Sequence, residues 1–305
     1  MKEPTEEQKK IWLMACLTAP IAHTASGMTW LEVLPAVLLS GGIRRITRNG
    51  RKPILWLRRL LYLFAAGEAL ILMESCWPGQ KDMKWVMAIL LCLAAGMVCK
   101  GTASAVSGGI LIWWLEAFLF GSVLLSAIPL GEFSQLKPSL GEYAAHNILR
   151  LSGILLLPIL MEREETEKPV PEVYLTLSPI VFSLCTQGLL GMTAQWQPAP
   201  FYELSRSIRL YGMLDRMESL AWLGLMMGTV LYLSFLLAES IQGRKETGTL
   251  KIAAAAAAAF AISYIVRHRY LGTAFLWIGA EVILEYFHGR IAEIKEEEKN
   301  RKTGN

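Results

Sequence analysis

Pro200-Phe201-Tyr202-Glu203-Leu204-Ser205-Arg206-Ser207-Ile208-Arg209, followed by Arg216-Met217-Glu218-Ser219, is a charged, irregular stretch lodged between two strongly apolar runs, near 172–193 and 217–240. The flanking runs set the class. Crossing a hydrocarbon core takes about 20 apolar residues, and both runs reach that length. Working outward, further apolar runs occur near 11–24, 29–43, 54–76, 85–99, 109–129, 143–161, 250–266 and 270–287. The first two are short and joined by a tight turn. The 305-residue chain is 53% hydrophobic and only 18% charged, with a mean hydropathy of +0.39. A soluble domain carries about a quarter charged residues. In a bilayer only helices and closed barrels satisfy their backbone polar groups, and these runs are too long and too continuously apolar for barrel strands. The expectation is an all-α integral membrane protein of about ten transmembrane helices.

Residues 1–287 read as a single polytopic membrane domain and 288–305 as a charged cytoplasmic tail. In that tail Glu293, Glu296, Glu297 and Glu298 alternate with Lys295 and Lys299, a pattern that extends a helix into water through i,i+4 pairs. Lys9 and Lys10 ahead of an apolar run also fit a signal peptide, but multi-span proteins use the first helix itself as the insertion signal. With the N-terminus inside, 21 of the 30 Lys and Arg residues fall on the cytoplasmic side. The dense group Arg44, Arg45, Arg48, Arg51 and Lys52 dominates that count. Cytoplasmic loops carry the basic excess, so both termini are placed in the cytoplasm.

Other function classes find little in the sequence. The net charge of +4 resides in gaps between apolar runs, without the aromatic-basic interleaving of a nucleic-acid surface. His23, His146, His268 and His288 are scattered and match no metal-ligand spacing. No Gly-x-Ser-x-Gly or Walker loop occurs, so neither catalysis, a cofactor nor a metal is expected. The cysteines Cys16, Cys76, Cys92, Cys99 and Cys185 form no Cys-x-x-Cys pair and read as small core residues.

The opening stretch also resembles a family. Pro200-Phe201-x-x-Leu204-x-Arg206-x-Ile208, then Arg216-x-Glu218-Ser219 opening an apolar helix, is similar to the signature of the spore germination permeases. These are the integral-membrane B subunits of nutrient germinant receptors, within the amino acid–polyamine–organocation superfamily. Leu93-Ala94-Ala95 leading to Lys100-Gly101, Leu136-Lys137-Pro138 with Gly141, and Ala25 to Trp30 resemble further stretches of that family. Where family members often carry a Glu and an Arg after the basic-Gly step, this chain has Ala103 and Ser107.

The resemblance implies a LeuT-like five-plus-five inverted repeat whose first and sixth helices break near the midplane. Exposed backbone groups there meet a small ligand. The ligand-binding candidates are His23, Thr24, Ser26 and Gly27 in the first segment, and Ser152 and Gly153 in the sixth, with Pro20 and Pro158 as break points. The alternatives at these places are an ordinary short-helix boundary and a proline kink. The resemblance further implies sensing of a small nutrient, an amino acid, to trigger germination. It implies an A-type membrane subunit and a C-type lipoprotein subunit as partners, in the inner membrane of a spore-forming bacterium. An amino acid or amine transporter of the same fold, coupled to protons or Na⁺, is the alternative. A non-transporting structural subunit with a degenerate site is the third reading.

Acids inside the apolar runs are costly and mark places to inspect. Glu68 and Glu116 lie deep in their segments, whereas Glu74, Glu239 and Glu285 lie near segment ends and are expected to reach solvent. Between the two runs of the opening stretch, Pro200, Phe201, Leu204 and Ile208 suggest a short helix packed down on the bundle.

Overall fold

The computed structural model describes residues 9–14, 16, 17, 29–47, 55–75, 84–132, 134, 136, 140, 144–160, 172–191, 200–207, 217–241 and 248–267. No strand occurs among the described residues. Residues 9–14, 16 and 17 form α1. The helices that follow are α2 (Trp30–Thr47), α3 (Leu55–Ser75), α4 (Lys84–Cys99), α5 (Thr102–Ala127), α6 (Ala144–Leu160), α7 (Glu172–Leu190), α8 (Pro200–Ser207), α9 (Met217–Ile241) and α10 (Thr249–Arg267). The expected segment at 270–287, the tail, and motif residues Ile208 and Arg216 lie outside the described residues.

Two helices, Ala103–Leu130 and Ala221–Ile241, are long and apolar enough to cross a membrane. The apolar stretches Trp30–Ile43, Lys84–Cys99, Asn147–Pro158, Leu177–Leu190 and Thr249–Tyr264 are shorter. Helix boundaries follow local chemistry. Gly101 adopts φ 97° and ψ 153°, a region strained for any residue with a Cβ. The Lys100-Gly101 step thereby turns the chain from α4 into α5. α5 starts seven residues before the apolar run expected at 109. The hydroxyl of Ser107 donates to the Ala103 carbonyl (3.1 Å), which satisfies the hydroxyl within the helix.

The helices form two groups. α2 packs against α6 and α7, and each of these three carries an internal proline: Pro35, Pro158 and Pro179. Proline withholds an amide donor from the preceding turn. The second group is α3, α4, α9 and α10, which pack on one another without an internal proline. α9 is its centre, touching α3, α4, α5, α8 and α10. Exchanging α2 with α7, α3 with α9 and α4 with α10 maps each packed pair among these six helices onto another packed pair.

Small residues permit the close approaches. A Cβ on Gly67 of α3 would lie 3.2 Å from the Ala259 carbonyl oxygen and 2.9 Å from Ile262 of α10. The run Ala253 to Ala259 is therefore two-sided: Ala255 and Ala259 are buried against α3 and α4, while Ala253, Ala254 and Ala257 are exposed. A leucine at Ala259 would overpack this contact at a cost of about 1–3 kcal/mol. Thermal unfolding of the purified protein should show Ala259→Leu clearly destabilised and Ala257→Leu close to wild type.

A buried polar junction of α2, α6 and α7

Thr29-Trp30-Leu31-Glu32 opens α2 with the spacing of a capping box. The buried Thr29 accepts the Glu32 amide on its hydroxyl oxygen (3.3 Å) and on its carbonyl (2.9 Å), and its carbonyl also accepts from the Val33 amide (3.0 Å). The Glu32 side chain turns elsewhere. It is 1% exposed, and its Oε2 accepts from Nδ2 of Asn147 on α6 (3.2 Å). The Trp30 amide, another donor left open at the start of the helix, donates to Oε1 of Gln187 on α7 (3.4 Å). Residues from three helices thus converge on one helix N-terminus, where the helix dipole favours a carboxylate.

Ser152 extends the junction along α6. It is fully buried, and its hydroxyl lies 3.1 Å from the Ala36 carbonyl of α2 and 2.7 Å from the Ile148 carbonyl of its own helix. Gly153 is buried beside it. α6 remains helical through Ser152, Gly153 and Pro158, so a break in this segment does not form. The candidates His23, Thr24, Ser26 and Gly27 lie outside the described residues; in the chain they immediately precede Thr29.

The motif stretch does form a short helix, α8, with Pro200 as its first residue, where a missing amide donor costs nothing. Leu204 is its anchor. It is fully buried in a cluster with Met73, Phe120, Val123, Phe182 and Leu225. Arg206 is exposed in the last turn, and Glu218 opens α9. Pro200 and Phe201 lie in the first turn of α8. Leu204 fastens α8 onto α5, α7 and α9.

A second polar line runs where α1, α5 and α9 meet. Lys10 of α1 is ion-paired with Glu239 of α9, with side-chain exposures of 6% and 15%. Glu239 was expected to reach solvent from the helix end; instead α1 covers it and supplies a cation. Further along, a Cβ on Gly109 of α5 would meet Leu231 of α9 at 2.8 Å and Leu13 of α1 at 3.2 Å. Next come Glu116 of α5, Gly228 of α9 and, within electrostatic reach of the carboxyl, Cys16 of α1. Glu68 and Glu116 are both buried, as their depth in the apolar runs indicated. Among the described residues no group of three or more His, Cys, Asp or Glu is placed to hold a metal ion.

A scan against protein families finds no match to this chain, and a search of characterised proteins finds none either.

The junction brings together a carboxylate, two carboxamides, hydroxyls and a helix N-terminus, whose hydrogen bonds tie α2 to α6 and α7. Sequence reading reached Ser152 but passed over Glu32, Asn147 and Gln187; the capping-box spacing at Thr29 was the signal for the first of them. Replacing Asn147 with leucine keeps the branching at Cγ and removes the donor to Glu32. Loss of a hydrogen bond to a buried acceptor costs about 1–3 kcal/mol. Asn147→Leu should therefore lower the unfolding midpoint, whereas Ser107→Ala, at an exposed hydroxyl, should not.

Proposed function

We propose that this chain is the polytopic membrane subunit of a spore germinant receptor, which senses a small nutrient of the amino acid class. The observation that carries the sensing role is the buried junction of Glu32, Asn147 and Gln187, set in otherwise apolar helices; in the chain, His23, Thr24, Ser26 and Gly27 come just before Thr29. Polar side chains in such a setting are costly and mark ligand or ion pathways. The Pro200–Ser219 motif and the packing of α8 through Leu204 support the family reading. The contact symmetry between α2, α3, α4 and α7, α9, α10 supports the five-plus-five repeat.

The outer surface supports a bilayer setting. Leu111, Phe118 and Leu125 on α5 are each at least 70% exposed, and Trp114 and Leu115 are exposed between them. An apolar face of that extent on a soluble protein promotes association; against lipid it needs no cover. The proposed location is the inner membrane of a spore-forming bacterium with both termini cytoplasmic. The A-type and C-type subunits are its partners. A transporter of the same fold is the second reading, favoured by the buried Glu116 on the α1–α5–α9 line, since buried acids in apolar helices mark ion and proton pathways.

Binding of amino acids to the assembled, purified receptor tests the sensing role. Glu32→Gln and Gly27→Leu are expected to weaken binding at least about tenfold, roughly one charge-assisted hydrogen bond. Leu204→Ala is expected to lower abundance instead. Wild-type affinity in both Glu32→Gln and Gly27→Leu would overturn the assignment of this junction as the site.

A further inference from the structure

Glu116 takes no part in the α2–α6–α7 junction, yet it is 2% exposed. Its carboxyl lies on the backbone of α9 at Gly228, where any side chain would overlap its oxygens. Gly224, one turn earlier, makes room for Leu119 and for the Glu116 stem. Oε2 has no hydrogen-bond partner among the described residues.

Among the described residues no Lys, Arg or His is ion-paired with Glu116. On α1, Cys16 stands within electrostatic reach, and Lys10 is committed to Glu239 of α9. On α9, the Thr229 hydroxyl donates to the Leu225 carbonyl (2.8 Å). α4, α7 and α8 also pack on α5. Their described titratable side chains are Lys84, Cys92 and Cys99 on α4, Cys185 on α7, and Glu203 and Arg206 on α8. None of these hydrogen-bonds or ion-pairs with Glu116.

A bare carboxylate without a partner in such surroundings is strongly disfavoured. A metal ion would need several oxygen ligands, and among the described residues no group of three or more His, Cys, Asp or Glu is placed to hold one. A proton needs one oxygen.

We propose that Glu116 is a proton-binding site, occupied while α1 is seated against α5 and α9 and emptied when α1 withdraws. The step is an acid–base exchange with water. An O–H bond forms on Oε2 as the seam closes, the proton returns to water as it opens, and no electrons move. Linkage then favours the closed seam at low pH and the open seam at high pH. This stands apart from the nutrient-sensing reading, since it concerns a different set of helices.

Cys16 is a built-in reporter. In a full-length protein in nanodiscs with the other cysteines replaced by alanine, maleimide labelling of Cys16 is followed against pH, alone and with Glu116→Gln. A Glu116 carboxylate within reach of the thiol suppresses the thiolate and so lowers the ratio of the two rates; a ratio that rises with pH therefore reports the opening of the seam. The ratio of the Glu116 protein to the Gln variant is expected to rise with pH, by up to about tenfold per unit, the slope of one proton. A ratio that stays flat overturns the proposal. Should Glu116→Gln fail to fold, infrared spectra of the wild type and Glu116→Asp decide. A protonated-carboxyl band that titrates with pH and shifts between the two supports the site; absence of that band, or a band unmoved by the substitution, overturns it.

Discussion

A charge enclosed by apolar helices has to be met by another group, and the contact of Lys10 with Glu239 is where this chain meets that requirement most directly. The pair fixes α1 on α9, and α9 in turn touches α3, α4, α5, α8 and α10. From that fixed point the α1–α5–α9 line proceeds through Gly109 and Leu231 to Glu116 and Gly228, each step setting a bulky or polar side chain over a residue that has none. Removing one member of a buried pair costs roughly 3–5 kcal/mol because the other is left uncompensated. The ionic contact thereby complements the apolar packing of Ile11, Leu13, Met14 and Leu17, which are buried in the core.

Packing elsewhere follows from small residues rather than from charge. Between helices in lipid, association rests on close van der Waals contact and interhelical hydrogen bonds. The approach of α3 to α10 at Gly67 and Ala259, and of α5 to α9 at Gly224 and Gly228, supplies the first. The bonds from Asn147 to Glu32, from Ser152 to the Ala36 carbonyl and from the Trp30 amide to Gln187 supply the second. The proline-bearing helices α2, α6 and α7 are joined by these polar bonds, whereas α3 meets α10, and α5 meets α9, at glycine and alanine.

Much of the helical layout was legible in the sequence. The apolar runs near 54–76, 143–161 and 217–240 correspond closely to α3, α6 and α9, because an uninterrupted apolar stretch of that length has few alternatives to a helix. The start of α5 was not legible, since Thr102 to Gly108 lacks an apolar pattern and is helical through a glycine turn and a back-bonded serine. The junction was legible only in part. Ser152 drew attention as a break point that does not form, and Asn147 reaches Glu32 from 115 residues away and Gln187 reaches the Trp30 amide from 157, relations no local pattern carries. Glu239 illustrates the same limit: a group near a helix end ordinarily reaches solvent, and only the docking of α1 encloses it. In α8 the packing was legible: Leu204, one of the apolar residues that suggested a short helix packed on the bundle, is fully buried.

Reversal of the Lys10–Glu239 pair tests this account most directly. Abundance and thermal unfolding would be measured in the wild type, Lys10→Glu, Glu239→Lys and the double reversal, all as full-length protein in native membranes. Each single reversal places two like charges in a buried contact and should sharply lower both quantities, while the double reversal restores opposite charges and should recover most of the loss. Single variants that behave as the wild type, or a double variant as impaired as the singles, would contradict the claim that this contact seats α1 on α9.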